Sequence, residues 1–473
     1  MNHRNRTLLT FIALLALAAL ACGGLIRTID GTIPDVAATA ESVTLPPTSP
    51  PTPLPPTPTL APDQPTPTPT LDPVLVTPTP DPPSADKTAL QLQVFEQLWT
   101  TVERVYVYPD FNGVDWNAMR EVYRAKIEAG IGNNEFYPLM QELLNELGDE
   151  HSQFLSPEAV AEELAEREGN TDYVGIGVLV SAVPERNRIV ILTVFPNSPA
   201  ERAGLRAHDS ILEVDGQPSL DSEGFMRIDL VRGPENTDVT LLMETPGQEP
   251  RPVTVTRQRI TGGLPVNAEL LPNAEGQRVL YMIIPTFSDR TVLDQVEGIL
   301  QQYTADGPLD AVIIDNRING GGYSDVLQGM LSLFTEGLQG TFYNRVGQSR
   351  DLIVQPNNAY GTQNVPLVVL VGRDTVSYGE VFSGVLNDSG RAIMIGSITD
   401  GNVETLYPYD FADGSRAYIA QETFLPAVTG ADWERDGLIP DIIVEGDWDQ
   451  FTVENDPALS AALIALGLTP ITP

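Results

Sequence analysis

Apolar residues recur at helical spacing through the first foldable stretch of the chain. Leu92, Phe95, Trp99, Val102 and Tyr106 fall on one helix face. Leu139, Leu143, Leu144 and Leu147 make a second stripe, and Gly148 stands where a helix end favours a left-handed residue. Residues 88–168 are therefore expected to be helical. Between 172 and 259 the pattern shifts to short β-rich runs, Arg188–Val194, Ser210–Val214 and Val239–Met243, separated by turns. From about Gly263 onward, apolar runs at Val279–Pro285, Asp310–Ile314, Pro366–Val371 and Ala392–Ile395 alternate with helical stretches such as Thr291–Tyr303 and Asp325–Phe334. Strands apolar on both faces, spaced by helices, predict a largely parallel sheet buried between layers. The expected fold class is an α/β core with an inserted β-rich module and a helical N-terminal segment. No internal repeat is visible.

The 473 residues are too many for one ordinary domain. Both ends of the charge balance matter. Asp and Glu number 64 against 27 Lys and Arg, a formal charge of −37. A polyanion of this size repels nucleic acid and anionic lipid, so nucleic-acid binding is set aside. Residues 1–21 hold Arg4, Arg6 and an apolar run from Leu8 to Ala21, too short for a membrane span and suited to an export signal. Cys22, the one cysteine, follows directly and fits a lipid anchor, with plain secretion as the alternative. From Pro46 to Pro83 lie 17 of the 41 prolines, interleaved with threonine. Such a segment builds no core; it reads as an extended stalk of at most about 120 Å at ~3.1 Å per residue.

The segment Gly175-Ile176-Gly177-Val178 is followed by Asn197-Ser198-Pro199-Ala200, Ala203-Gly204-Leu205 and Val231-Arg232-Gly233-Pro234. Together these resemble a PDZ domain. The resemblance implies that the Gly175–Val178 loop presents backbone N–H groups to a peptide carboxylate while the chain end adds as a strand. His208 stands where that family usually has glycine, and is expected to be a surface turn residue without a catalytic role.

Ser377-Tyr378-Gly379-Glu380 precedes an apolar run. Ser-x-x-Glu there is a helix capping box. The same geometry puts a hydroxyl among free N–H groups at the positive end of a helix dipole, where an oxyanion is stabilised. A second stretch, Asp315-Asn316-Arg317-Ile318-Asn319-Gly320-Gly321-Gly322, follows a buried strand, and its glycines let backbone N–H groups approach a substrate closely. Metal catalysis finds no footing: His151 and His208 are far apart and no ligand spacing occurs. No cofactor is expected.

From Thr88 to Glu445 the order of motifs resembles the C-terminal processing (tail-specific) serine protease family. Tyr108-Pro109-Asp110, Asp149-Glu150-His151-Ser152, Pro285-Thr286-Phe287-Ser288, the Asp315–Gly322 and Ser377 elements, Asn387-Asp388-Ser389-Gly390-Arg391-Ala392 and Gly437-Leu438-Ile439-Pro440-Asp441 carry the likeness. It implies a crotonase-like peptidase core, Ser377 as nucleophile, and the backbone N–H groups of Gly321 and Tyr378 as oxyanion donors. One departure is sharp. The family lysine lies 25 residues after the nucleophile, and that place is Asn402, which takes no proton at neutral pH. No lysine occurs at all beyond Lys126. The tricorn-like branch uses serine, histidine and glutamate instead. His151 and Glu434, 57 residues after Ser377, match that pattern. An imidazole titrating near ~6.5 deprotonates a serine when a carboxylate fixes its tautomer. Asp149 and Glu404 are alternative carboxylates for that task, and Glu434 is alternatively a solvated loop acid.

The expected organisation is a signal peptide (1–21), an anchored stalk (22–87), a helical domain (88–171), a PDZ domain (172–260), an α/β peptidase core (261–450) and a C-terminal tail or helix (451–473). The expected function is an exported serine endopeptidase acting on unfolded or tail-exposed polypeptides, membrane-held through Cys22. Loss of the family lysine keeps open a catalytically inactive, peptide-binding lipoprotein. An active site held shut by the PDZ domain is a third reading, and the oligomeric state stays open.

Overall fold

The computed structural model describes residues 83–149, 151–168, 172–272 and 276–469. The expected signal peptide, the Cys22 anchor and nearly all of the stalk lie outside the described residues. Helix α1 (Ala85–Val105) begins where the Ser84 hydroxyl accepts from the Lys87 N–H at 3.3 Å. Its stripe Phe95, Trp99 and Val102 is buried, while Leu92 lies half-buried at the margin. It packs on α2 (Trp116–Glu128), where Trp99 and Trp116 each give an indole N–H to the other's carbonyl at 2.9 and 3.2 Å. Lys126 in the last turn of α2 pairs with Glu142 of α3 (Asn133–Asn145) at 2.9 Å. Beyond α3, Gly148 takes the left-handed conformation (φ +67°) expected of a glycine at a helix end. Short strand β1 (Gln153–Leu155) and helix α4 (Pro157–Arg167) then lead into the inserted module.

That module runs β2 (Asp172–Gly175), β3 (Val178–Val183), β4 (Arg188–Val194), α5 (Pro199–Arg202), β5 (Ser210–Val214), β6 (Gln217–Pro218), α6 (Ile228–Val231), β7 (Asp238–Glu244), β8 (Arg251–Thr256) and β9 (Gln258–Thr261). Its sheet has the order β3-β4-β5-β7-β8 with β6 on β5, while β2 and β9 pair antiparallel where the chain enters and leaves. The alternating inward residues Ile189, Ile191, Ile211, Leu241 and Val255 form its own core.

His208 corrects the sequence expectation. It is a turn residue, with φ +76°, which explains why glycine suits this place. It is not on the surface: only 2% of it is exposed. Its ring stacks on Trp448 with centroids 4.2 Å apart, and its Nδ1 lies 2.8 Å from the Trp448 carbonyl. Trp448 also lies under the guanidinium of Arg317, which pairs with Asp315 and Asp456 at 2.5 and 2.6 Å. The aromatic partner lies 240 residues downstream, so no local pattern announces it.

The core chain runs β10 (Asn267–Leu270), β11 (Val279–Ile283), α7 (Thr291–Thr304), β12 (Ala311–Asp315), α8 (Ser324–Ser332), β13 (Gly337–Asn344), β14 (Ser349–Val354), β15 (Leu367–Val371), α9 (Tyr378–Asp388), β16 (Ile393–Gly396), β17 (Thr405–Asp410), β18 (Arg416–Pro426), α10 (Trp433–Asp436), β19 (Ile442–Ile443) and α11 (Pro457–Ala465). One sheet has the order β10-β11-β12-β15-β16-β19, parallel throughout except for β10. Alternate residues face opposite layers. Leu280, Met282, Val312, Ile314 and Val369 join the main core with α7, α8 and α9. Val279, Tyr281, Ile313, Val368 and Leu370 pack on Leu459, Ala462 and Leu463 of α11. This is the buried parallel sheet the apolar runs implied.

A second, antiparallel sheet is not evident in those runs. It joins β1-β18-β13-β14, with β17 also on β18. Its outer faces carry polar and half-exposed residues, so its strands lack a continuous apolar signature. Its consequence for the site is direct. β1 pairs with β18 in the register Phe154↔Ala417, which stitches the helical segment onto the core immediately after His151.

Candidate active site

The turn from β15 into α9 carries Ser377 at φ 57°, ψ −127°, a conformation close to glycine-only territory. Such backbone strain is held in place by surrounding bonds. The Glu380 carboxylate accepts from the Ser377 N–H at 3.2 Å, the carboxylate half of the capping box. The same buried carboxyl also accepts from Thr399 Oγ1 (2.5 Å), Gly401 N (3.1 Å) and Asn402 N (2.9 Å). Burial drives the Glu380 carboxyl up to about 8, against the pull of these donors. One acid thus locks the serine turn to the loop holding Asn402.

Tyr378 opens α9, so its N–H has no intrahelical acceptor and projects at the positive end of the helix dipole. Gly321 packs against it. Gly321 has φ +86°, and a Cβ there would fall 2.7 Å from Ser377 Cβ and 2.8 Å from Tyr378 N. The two expected oxyanion donors are therefore neighbours of Ser377. They differ in readiness: the Gly321 N–H is bonded to Asn319 Oδ1 at 2.9 Å. Ile318, in the same loop, packs on Val190 and Leu192 of the inserted module, with Leu179 and Val183 alongside.

His151 reaches the core through the turn before β1. Asp149 Oδ1 accepts from His151 N (3.1 Å) and Ser152 N (2.9 Å), and Oδ2 from Ser152 Oγ (2.6 Å). Ser152 Oγ in turn accepts from Ala420 N of β18 at 3.1 Å. Asp149 therefore fixes the backbone of the turn rather than the imidazole. The ring is 2% exposed, and its Nδ1 lies 3.5 Å from Glu404 Oε2. Burial pushes the His151 pKa down; the negative charge of Glu434 and then Asp149 opposes it. No hydrogen bond joins His151 to Ser377 among the described residues. They are linked through Glu380, the 402–404 loop and Glu404.

Glu434, from α10, accepts from Val403 N at 2.8 Å and lies within hydrogen-bonding reach of the Glu404 carboxyl. Burial and the adjacent Glu404 charge push Glu434 up to about 10, whereas Glu404 rises to about 7, mainly by burial. Two buried carboxyl groups this close disfavour a second negative charge, so the pair holds a proton between them. Glu434 is thus no solvated loop acid. Glu404 also accepts from Tyr108 Oη at 2.9 Å, which gives the Tyr108-Pro109-Asp110 motif a place in the site.

The Gly175–Val178 loop joins β2 to β3. Its carbonyls at Ile176 and Gly177 accept from Ala200 N (2.9 Å) and Phe195 N (3.0 Å), and a Cβ on Gly177 (φ +79°) would fall 2.5 Å from Ser198 Cβ. β3 is an edge strand of its sheet. An edge beside such a loop is what an added peptide strand requires.

Comparisons with known proteins agree with this architecture. The family profile of peptidase family S41 matches residues 278–444, the tricorn protease C1 domain matches 90–145, and a PDZ domain matches 190–245. The chain is 30% identical over 393 residues to a carboxyl-terminal-processing protease of Synechocystis sp., covering 80% of this chain and 86% of that one. It is 29% identical over 372 residues to the chloroplastic C-terminal processing peptidase of Tetradesmus obliquus, covering 76% and 78%. Among solved structures it is similar to the photosystem II D1 C-terminal processing protease, with a TM-score of 0.52, 27% identity, and coverage of 76% of this chain and 93% of that one.

Proposed function

The chain belongs to the carboxyl-terminal-processing proteases of peptidase family S41 and is a serine-type peptidase with a PDZ domain; from that premise we propose that it cleaves unfolded or tail-exposed polypeptides by a serine–histidine–glutamate mechanism rather than a serine–lysine one. The observation that carries this reading is the pair of His151 and Glu404, 3.5 Å apart in a site whose lysine position is Asn402.

In this reading Ser377 Oγ attacks the scissile carbonyl carbon while its proton passes to Nε2 of His151. The tetrahedral oxyanion is received by the Tyr378 N–H and by the Gly321 N–H, which exchanges Asn319 Oδ1 for it. Collapse breaks the C–N bond, and His151 returns the proton to the leaving amine. Water, deprotonated by His151, then clears the acyl-enzyme. The buried carboxyl pair of Glu404 and Glu434 supplies the negative charge that stabilises the imidazolium. The Gly175–Val178 loop and the β3 edge offer a place for a chain end to bind before cleavage.

Export and anchorage through Cys22 belong to the same proposal, supported by Arg4, Arg6, the run Leu8–Ala21 and the lone thiol after it. Ser377→Ala tests the chemistry. It should abolish both casein-type cleavage and reaction with a fluorophosphonate, and wild-type levels of either would end the reading. Palmitate incorporation should disappear in Cys22→Ser; incorporation indifferent to that change rejects the anchor.

A further inference from the structure

Eight buried side-chain polar atoms lack a hydrogen bond among the described residues, and three of them, His151 Nδ1, Asn402 Oδ1 and Glu404 Oε2, lie in this one site. Orphaned buried polar atoms are costly and call for an explanation. Two of the three face each other: His151 Nδ1 and Glu404 Oε2 are 3.5 Å apart, and a shift of about half an ångström makes the bond that both lack. Glu434, the carboxylate that sequence spacing favours, does not hold the ring. Its Oε2 is held by Val403 N–H, and its carboxyl group meets Glu404.

We propose that Glu404 is the positioning residue that orients His151, and that Glu434 acts one step behind it, as a carboxylic acid donating its proton to the Glu404 carboxylate. The proposal rests on the serine–histidine reading above. Three groups define the Glu404 carboxylate. Tyr108 Oη donates to Oε1, the Glu434 carboxyl lies within hydrogen-bonding reach, and Oε2 faces Nδ1 of His151. With Nδ1 carrying the proton toward Glu404, Nε2 holds the free lone pair a general base needs. The charged groups facing the imidazole are Asp149 on its own turn, Glu404 from the loop before β17, and Glu434 from α10.

The arrangement predicts opposite sensitivities to two amide substitutions. In Glu404→Gln, the Tyr108 hydroxyl claims the amide oxygen, so the amide NH2 faces His151. The imidazole must then accept at Nδ1 and carry its proton on Nε2, the wrong tautomer for a base. A comparable tautomer error in a serine protease triad costs about 10⁴-fold in kcat, and a loss of about 10³-fold or more is expected here. In Glu434→Gln the amide NH2 donates to Glu404 just as the acid does, so the loss should be about tenfold. A direct role for Glu434 reverses that order. The experiment measures kcat/KM for all variants on one peptide, beside His151→Ala and with melting temperatures recorded. Glu404→Gln within tenfold of wild type, or Glu434→Gln falling as far as Glu404→Gln, overturns the proposal. His151→Ala with wild-type turnover overturns the underlying reading instead, which keeps the two failures apart.

If Glu404→Gln does not fold, Tyr108→Phe answers the question. Removing one donor leaves Glu404 more basic and the imidazolium better stabilised, so the acid limb of kcat/KM moves to higher pH. An unmoved limb counts against Glu404.

Discussion

Gly321 and Ser377 are in contact through a space that admits no side chain: a Cβ on the glycine would lie 2.7 Å from the serine Cβ. Both residues have positive φ, +86° and +57°. Gly321→Ala therefore meets steric overlap and backbone strain together. Activity should fall by at least about a hundredfold, the order expected for a damaged oxyanion hole, with a stability loss of about 1–3 kcal/mol. Turnover and thermal melting on the same preparation check this; near-normal turnover would show that the Gly321 N–H takes no part.

The pH dependence of activity follows from the burial of His151. A general base must be neutral, so activity is lost as pH falls through its pKa. Burial lowers that pKa below the ordinary ~6.5, so the acid limb of activity should be centred below pH ~6.5. An acid limb centred above pH 6.5 contradicts this.

Stability should follow pH in the same direction through His208. Burial, and then the Arg317 charge, hold its pKa at about 4, while the hydrogen bond to the Trp448 carbonyl and the Asp456 and Asp315 charges act the other way. A histidine with a depressed folded pKa binds its proton in the unfolded state first. Stability is intact above the unfolded pKa of ~6.5 and drains as pH falls toward 4, by about 2 kcal/mol at pH 5. His208→Gln removes this loss. The drop in melting temperature between pH 7 and 5 should be smaller in the variant, and an equal drop refutes the assignment.

Restoring the family lysine should not restore its chemistry. In Asn402→Lys the ammonium enters a site beside Glu404, the carboxylate that carries the charge of the Glu404–Glu434 pair, and a neighbouring carboxylate holds an amine protonated. The double variant His151→Ala with Asn402→Lys is expected to stay inactive from pH 7 to 8.5 in a peptide-cleavage assay. Recovered turnover would mean that the pocket still tunes a lysine.

What could be read from the sequence follows from how each element is buried. The parallel strands announce themselves because both faces are covered, so Ala311–Asp315 and Leu367–Val371 are apolar without interruption. β13 and β14 each expose one face, and their mixed composition hides them. Ser377, Tyr378 and Gly321 are legible as motifs, because a strained helix entry needs a particular local order. The strain itself, the Asn319 cap on Gly321 and the three donors that the 399–402 loop adds on Glu380 are not, since they depend on loops folding back. Glu404 stood in the sequence as one of three candidate carboxylates for His151. Only the β1–β18 pairing, which delivers the histidine to the core, singles it out.

Both lysines of the chain lie in α1 and α2, and the peptidase core and PDZ module carry arginine alone. Chemistry directed at side-chain amines is thereby confined to α1 and α2. Attachment to a surface, crosslinking to a captured substrate or attack by a lysine-specific endoprotease through these side chains should all spare the catalytic loops. A fluorescent ester can mark the helical flank and report its docking without touching the groups that cut.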